Sequence, residues 1–210
     1  MQEYHKIKTV FERNLETKNK TLLMGKYASP EFEYLKNNIW TFTEKVDGTN
    51  IRVMWNYQNE TLRFGGKQDS SEIPKFLVNR LHELFAVNRM KLQFPKDSVC
   101  LYGESYGTKI QKAGSNYRPD QSFVLFDVKL GEQWLQRKDV EHVGNSLSID
   151  VVPVIGFGTL SDMVAKTETG LKSMWGDFIA EGIVARPVVE LCTYNGDRVI
   201  TKIKYKDFTR

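Results

Sequence analysis

The most informative stretch of this 210-residue sequence is Glu44-Lys45-Val46-Asp47-Gly48-Thr49-Asn50. It follows β-branched and aromatic residues typical of a strand, and its lysine, spacer, aspartate and glycine make Lys45 a candidate nucleophile. By itself the pattern is weak, because K-x-D-G occurs by chance in roughly one chain of this length in twenty. Its weight comes from the motifs that follow it in order: Leu101-Tyr102-Gly103-Glu104, Phe123-Val124-Leu125-Phe126-Asp127, Glu181-Gly182-Ile183-Val184 and Lys202-Ile203-Lys204.

The composition is that of a folded globular protein. Hydrophobic residues make up 40% of the chain, which is enough for a core and excludes a disordered polypeptide. The formal net charge of +4 permits a polyanionic partner without requiring one. Cys100 and Cys192 lie among strand-like residues, so we expect buried free thiols instead of a disulfide or a metal site. With no secretory signal and no long apolar run, we expect no membrane span and a cytoplasmic location.

The residue pattern predicts more strands than helices. Strands are predicted at 39–46, 51–57, 61–64, 98–104, 123–129, 132–135, 151–155, 182–186, 189–194 and 198–205. Helices are predicted at 31–37, 74–88, 138–147 and 160–167. Asn195-Gly196 predicts a type I′ turn, since both residues tolerate positive φ. Because the strands are joined largely as hairpins, the predicted class is α+β with mainly antiparallel sheets.

The motif residues have the chemistry needed for attack on a phosphate. A lysine amine attacks phosphorus only when neutral, although its reference pKa is about 10.4, so nearby cations or a metal must favour the neutral form. Lys202 and Lys204 point to one face of a strand, where both can meet one triphosphate. Carboxylates such as Glu104 and Glu181, together with water, would hold a divalent metal.

Each of these residues, taken alone, has a simpler interpretation. Lys202 and Lys204 could be solvent-facing charges on an edge strand, and Glu104 and Glu181 could be surface carboxylates. Phe126 could be an ordinary core residue. The common order and spacing of all the motifs favours the functional interpretation.

In this order the motifs resemble those of the covalent nucleotidyltransferase superfamily, which comprises ATP-dependent RNA and DNA ligases and mRNA capping enzymes. Within it, the chain is most similar to RNA ligases of the nick-sealing, phage type. The details that favour this branch are Thr49-Asn50 after K-x-D-G, Gly103-Glu104-x-x-Gly107-x-x-Ile110-Gln111-Lys112, and Phe123-x-x-Phe126-Asp127. The resemblance covers about residues 39–206.

The resemblance implies how the nucleotide would be bound. Lys45 would be the nucleophile that becomes lysyl-AMP, and Glu44 would contact the adenine amino group. Asn50 would lie beside the ribose and the sealing reaction. Phe126 would stack on the adenine, since an aromatic face suits a purine. The implied cofactors are ATP and Mg²⁺ or Mn²⁺.

The resemblance also assigns the charged residues. Glu104 and Glu181 would hold the ribose and the metal waters, and Lys202 and Lys204 would grip the phosphates. Lys67 stands where many family members carry arginine; lysine keeps the charge for a phosphate contact but loses the bidentate fork.

The implied fold is an ATP-grasp-like nucleotidyltransferase domain: antiparallel sheets flanked by helices, with a nucleotide groove between them. We expect residues 1–210 to form a single adenylyltransferase domain, with 1–38 as an N-terminal extension packed on it. Because the sequence stops soon after the last motif, we expect a minimal, monomeric catalytic core, to which an accessory domain or repair partner could be supplied in trans.

The implied activity is RNA repair: an ATP-dependent RNA ligase joining a 5′-phosphate RNA end to a 3′-OH, in the host cytoplasm if the protein is phage-encoded. Two alternatives stay open. One is a minimal ATP-dependent DNA or RNA/DNA hybrid ligase, and the other is a non-catalytic protein that binds nucleic-acid ends. A capping enzyme fits less well, because no OB domain is present to complete that reaction. Candidate RNA phosphate contacts are Arg52, Lys67, Lys109 and Lys112.

Overall fold

The structure is a computed structural model that describes residues 3–18 and 20–209. It divides into two compact units. The first, called the lysine unit here, consists of residues 5–46 and 153–209. The second, called the insert unit, consists of residues 3–4 and 47–152. The region treated above as one adenylyltransferase domain therefore contains two compact parts, and the chain leaves the lysine unit directly after Lys45-Val46.

Short strands dominate both units. In chain order they are β1 (Lys8–Thr9), β2 (Phe11–Arg13), β3 (Leu22–Tyr27), β4 (Trp40–Lys45), β5 (Thr49–Asn56), β6 (Thr61–Gly65), β7 (Val99–Gly107), β8 (Gln121–Leu130), β9 (Gln133–Trp134), β10 (Asp150–Val151), β11 (Val154–Gly158), β12 (Gly182–Pro187) and β13 (Thr201–Lys204). The helices are α1 (Pro30–Leu35), α2 (Lys75–Leu84), α3 (Val87–Gln93), α4 (Gly114–Tyr117), α5 (Arg137–Leu147) and α6 (Leu160–Glu168), and a 3-10 turn spans Tyr205–Asp207.

The lysine unit is built on a five-stranded sheet with the order β1-β13-β12-β4-β11. β1 runs parallel to β13, and the other pairs are antiparallel. Strand β4 alternates between buried and half-buried side chains, so its two faces have different environments. The buried face, with Trp40 and Phe42, shares one apolar core with residues of α1 and α6. The half-buried face carries Lys45.

The insert unit is built on a second sheet with the order β10-β8-β7-β5-β6, to which β9 adds beside β8. One face of this sheet packs against α2, α3 and α5. Its core includes Trp55, Leu81, Phe85, Phe123 and Leu147, all of them buried. Strands β5, β7 and β8 place Thr49-Asn50 of the first motif beside the second and third sequence motifs.

The predicted α+β class with mainly antiparallel sheets is confirmed. The predicted helix at 74–88 is wrong in one respect, because it is broken between α2 and α3. Phe85 leaves the helical conformation, and its buried ring packs edge-on against Phe123, with the ring centroids 5.1 Å apart. Burial of this ring against Phe123 stabilises the chain at the break.

The segment predicted as one strand at 151–155 is likewise divided, into β10 and β11. β10 pairs with β8 in the insert unit, and β11 pairs with β4 in the lysine unit. Pro153 lies between them and has no backbone N–H for a ladder, so the strand is interrupted at the boundary of the two units.

The region before the last strand differs most from the prediction. Residues 189–194 form no strand but a single bridge from Cys192 to Arg198. The amide of Thr193 donates to Asp197 O and that of Gly196 to Thr193 O, which closes a three-residue loop in which only Gly196 has a positive φ, 82°. The turn is therefore not type I′.

Both cysteines are free thiols, as expected, but only Cys100 is buried, and Cys192 is exposed on the irregular segment. No helix within residues 3–18 and 20–209 has the length and hydropathy needed to cross a bilayer.

Candidate active site

Lys45 is paired with a carboxylate that also binds a second lysine. Lys45 Nζ lies 2.5 Å from Glu181 Oε2, and Lys204 Nζ lies 2.5 Å from Glu181 Oε1. The three side chains are only 13–23% exposed, so solvent screens the pairs weakly. One carboxylate thus bridges two ammonium groups of the lysine unit.

The strand register explains this convergence. Gly182 on β12 stands opposite Lys45 on one side and opposite Lys204 on the other. Glu181 directly precedes this row, and its carbonyl accepts a hydrogen bond from Tyr205 N at 2.9 Å. Position 182 requires glycine, because a Cβ there would lie 2.1 Å from Ile203 O. The register of β12 with both of its neighbours therefore aligns the two lysines with one glutamate.

Glu181 is held ionised by its neighbours. Burial by itself would raise the pKa of this carboxyl, but the charge of Lys45 and hydrogen bonds from Lys204 and Lys45 outweigh it, so the pKa lies below its ordinary value. Two cations against one anion leave the cluster with a net positive charge. Such a cluster attracts a polyphosphate.

Lys202 adds a further cation to the same face of the sheet. In β13 the buried residues Thr201 and Ile203 alternate with the half-buried Lys202 and Lys204. Because successive side chains of a strand point to opposite faces, the two lysines share one face. The face that carries Lys45 therefore presents three lysines on the two strands that flank β12.

Glu44 does not join this cluster. It is only 1% exposed and lies on the buried face of β4, opposite to the face of Lys45. Its Oε1 accepts a hydrogen bond from Ser173 Oγ at 2.6 Å, and its Oε2 accepts one from Met174 N at 2.7 Å. Burial raises the pKa of the Glu44 carboxyl, and these hydrogen bonds oppose that effect.

In the insert unit, Asn50 on β5 stands directly opposite Glu104 on β7. Both side chains are half-buried. The side-chain oxygen of Asn50 is buried and accepts no hydrogen bond from the described residues. Gly48 makes this arrangement possible, because a Cβ at that position would lie 2.2 Å from Ser105 O. The Asp-Gly of the first motif thus packs closely against β7.

Phe126 is an extra residue in its strand pair. Tyr102 pairs with Asp127 and Gly103 with Leu125, so no residue of β7 opposes Phe126. Such irregularities commonly redirect a side chain beside an active site. The half-buried ring of Phe126 contacts the ring of Tyr4 edge-on, at a centroid distance of 5.1 Å. Tyr4 in turn donates a hydrogen bond to the neighbouring buried Asp127 at 2.5 Å.

The predicted RNA phosphate contacts separate into a buried residue, Arg52, and exposed lysines. Arg52 is fully buried, so its assignment as an RNA contact is wrong. It donates instead to Gly66 O and Asp69 Oδ1, at 2.9 and 2.7 Å, and so fixes the loop that carries the exposed Lys67. This role is structural because a buried guanidinium must be paired.

Lys109 and Lys112 belong to the second group, since both are exposed. Their loop is attached to the first motif, because Gln111 Nε2 donates to Gly48 O at 3.1 Å. Tyr117 Oη accepts from Asp47 N at 3.1 Å and extends this connection. Neither contact was foreseen, although Gln111 was part of the quoted motif.

The carboxylates fit a magnesium ion that keeps most of its water. Within residues 3–18 and 20–209, no three histidine, cysteine, aspartate or glutamate side chains gather as a metal cluster. Mg²⁺ is commonly bound by one or two carboxylates together with water and substrate phosphates. In the lysine unit, Glu181 is the carboxylate suited to that role, and the assignment of Glu104 in the insert unit stays a prediction.

Comparison with known proteins identifies the family. A family profile described as RNA ligase matches residues 38–204, which is most of the chain. The chain belongs to the RNA ligase family. No curated protein matches its sequence.

Solved structures show the same fold. The ligand-free structure of a variant of the Naegleria gruberi RNA ligase superposes with a TM-score of 0.64 at 18% sequence identity, over 86% of this chain and 53% of that one. Another variant of that enzyme, with ATP and Mn, superposes with a TM-score of 0.61 at 18% identity, over 85% of this chain and 54% of that one. The present chain therefore spans about half the length of these proteins.

Proposed function

We propose that this chain is the nucleotidyltransferase part of an ATP-dependent RNA ligase and that Lys45 is its nucleophile. The observation that carries the proposal is the pairing of Lys45 and Lys204 with the two oxygens of Glu181. Membership of the RNA ligase family supports it. So does the likeness in fold to a ligase structure that holds ATP and Mn.

The first step would form lysyl-AMP. The Lys45 ammonium first gives a proton to water and becomes a neutral amine. Its nitrogen then attacks the α-phosphorus of ATP and forms a P–N bond, while the bond from that phosphorus to the β-phosphate oxygen breaks. Pyrophosphate leaves with the electron pair of that bond, and the nitrogen releases a second proton to water. Lys202 and Lys204 neutralise the phosphate oxygens and the leaving pyrophosphate, since phosphoryl chemistry depends mainly on alignment and charge.

Glu181 would have two roles in this step. In the ion pair it holds the Lys45 amine in place, at the end of β4. The oxygens of a bound triphosphate would compete for Lys204, and Glu181 would be a residue able to hold metal-bound water. Mg²⁺ or Mn²⁺, when bound, would neutralise charge on the phosphates. Glu104 would be the second carboxylate for the ribose and the metal waters.

The next two steps would act on RNA. An oxygen of the RNA 5′-phosphate attacks the AMP phosphorus, the P–N bond breaks, and its electron pair returns to the Lys45 nitrogen, which is reprotonated. The RNA 3′-OH then attacks the activated 5′-phosphate, loses its proton, and displaces AMP. Phe126, redirected by the irregular pairing of β8, would stack on adenine, and Asn50 would donate and accept hydrogen bonds at the ribose.

The decisive experiment is incubation of the protein with α-labelled ATP and Mg²⁺, followed by a denaturing gel. We expect label on the wild-type chain and none on Lys45→Ala. Lys166→Ala, which changes an exposed lysine on α6, is the matched control and should label normally. Label on Lys45→Ala would refute Lys45, and an unlabelled wild-type chain would refute the enzyme and favour the end-binding protein.

A second experiment separates RNA from DNA ligases. Matched nicks with an RNA or an all-DNA 3′-OH strand are offered with a common 5′-phosphate strand. We expect faster sealing of the RNA strand, because a protein can contact the 2′-OH. Equal rates on both strands would favour a DNA or hybrid ligase.

A further inference from the structure

Glu44 is a buried carboxylate that the proposed mechanism does not use. It directly precedes the nucleophile, yet it lies on the other face of β4. A carboxylate this deeply buried is costly unless its oxygens are hydrogen-bonded. Both of its oxygens accept hydrogen bonds from neighbouring residues of one segment, Ser173 and Met174.

That segment is a hairpin formed by residues 171–180. Lys172 forms an antiparallel bridge with Ile179, and Ser173 N donates to Phe178 O at 2.9 Å. Ala180 N donates to Leu171 O at 2.8 Å and closes the base of the hairpin. The residue that follows this base is Glu181, the carboxylate that bridges the two lysines.

Ser173 is the centre of the contact with Glu44. It is 6% exposed, its hydroxyl donates to Glu44, and the same oxygen accepts from Trp175 N at 3.1 Å. The hydroxyl thus uses both donor and acceptor capacity. One side chain therefore couples the tip of the hairpin to the residue next to the nucleophile.

We propose that Glu44 is a positioning residue that, through Ser173 and Met174, holds the 171–180 hairpin and thereby places Glu181 against Lys45. This inference rests on the proposed function. Two connections besides the ion pair then hold Lys45 near Glu181. One is the strand pairing of Lys45 with Gly182, and the other runs from Glu44 through the hairpin. This assignment replaces a contact of Glu44 with the adenine amino group.

The test compares Ser173→Ala, Glu44→Gln and the double variant by lysine labelling with α-labelled ATP. Misplacement of a reacting group by about 1 Å can cost a hundredfold in rate, so we expect each single variant to lose about tenfold at saturating ATP. The apparent KM for ATP should change by less than about twofold, because this pair acts on alignment and not on ATP binding. The double variant should be no slower than the slower single variant, since both break one coupled contact.

Thr159→Ala is the matched control for stability. Thr159 caps α6 in the same unit, and its hydroxyl oxygen accepts from Asp162 N at 3.2 Å. This variant should lower the melting temperature yet label at the wild-type rate. An equal loss of labelling in Thr159→Ala would show that the effect of Glu44 is only stability, and so would overturn the proposal.

Two further readouts keep the proposal separate from its alternatives. An unchanged ratio of ATP to GTP labelling in Glu44→Gln supports positioning, whereas a shifted ratio with wild-type labelling by Ser173→Ala would restore the adenine contact. Hydrogen exchange in 171–180 does not require activity: faster exchange in Ser173→Ala and Glu44→Gln is expected. Unchanged exchange in both variants would refute the connection between Glu44 and the hairpin. Faster exchange in both variants, together with a wild-type chain that is never labelled by ATP, would refute the ligase activity and leave this connection supported.

Discussion

Asn50 faces Glu104 across the β5–β7 pair, and its buried side-chain oxygen has no hydrogen-bond partner among the described residues. An unpaired buried acceptor costs about 1–3 kcal/mol. This cost is offset if the Asn50 oxygen forms a hydrogen bond when the substrate binds. We infer that a substrate group supplies the missing donor.

Asn50→Ala should therefore separate stability from activity. Its free energy of unfolding should be unchanged or slightly higher, because an unpaired acceptor is removed, whereas sealing of a nicked RNA should fall by about tenfold or more. Asn56→Ala is the control on the same strand: Asn56 Oδ1 accepts from Gln58 N at 2.9 Å, so this variant should lose stability and retain sealing. Denaturant titration and a sealing assay measure both quantities. A large loss of stability in Asn50→Ala would contradict a substrate role.

Lys204 should matter most before AMP reaches RNA. In Lys204→Ala, Glu181 keeps only the pair with Lys45, and the leaving pyrophosphate loses a neutralising cation. Self-labelling should fall much more than sealing of a pre-adenylylated RNA, because the latter step releases no pyrophosphate. Both assays use one protein preparation. Equal losses in both would indicate that Lys204 is structural or binds RNA.

Stability should fall in acid through Glu181. Its pKa is lowered in the folded protein, so the carboxylate contributes stability above its unfolded pKa, and this contribution is lost as the pH falls through the folded value. Thermal melts from pH 7 downward should show a decline below about pH 4.5. Glu181→Gln should flatten this decline, and an identical pH profile in the variant would contradict the assignment.

RNA binding should depend on salt through Lys109 and Lys112. Both are exposed on the loop that Gln111 attaches to Gly48. Each phosphate contact adds about 0.7–0.9 to the slope of log affinity against log salt. The double alanine variant should therefore bind nicked RNA more weakly and lower the slope by about 1.5. Lys75→Ala with Lys138→Ala, two exposed lysines at the starts of α2 and α5, is the matched control. If this control lowers the slope equally, the phosphate contacts of Lys109 and Lys112 are non-specific.

Local patterns were sufficient for the motifs and for most elements. Local patterns predicted a strand at 39–46 that contains Lys45 and one at 198–205 with Lys202 and Lys204 on one face, and β4 and β13 lie within these bounds. The absence of the strand predicted at 189–194 was not predictable, because its residues alternate as in a strand and yet form only one bridge. Local propensity does not report whether a partner is available.

The sequence by itself determined the order of the motifs and the antiparallel class, and it predicted Lys45 as the nucleophile and the carboxylates of the site, since these follow from residue types and short-range periodicity. Tertiary structure alone decided which charges meet. Lys45, Glu181 and Lys204 converge because Gly182 pairs with both lysines and lets β13 approach β12 closely. Glu44 turns to Ser173 because neighbouring residues of a strand point to opposite faces. Arg52, basic in sequence like any RNA contact, is buried because a loop 14 residues on, at Gly66, folds back to accept its hydrogen bond. Such pairings depend on contacts distant in sequence, which no local pattern encodes.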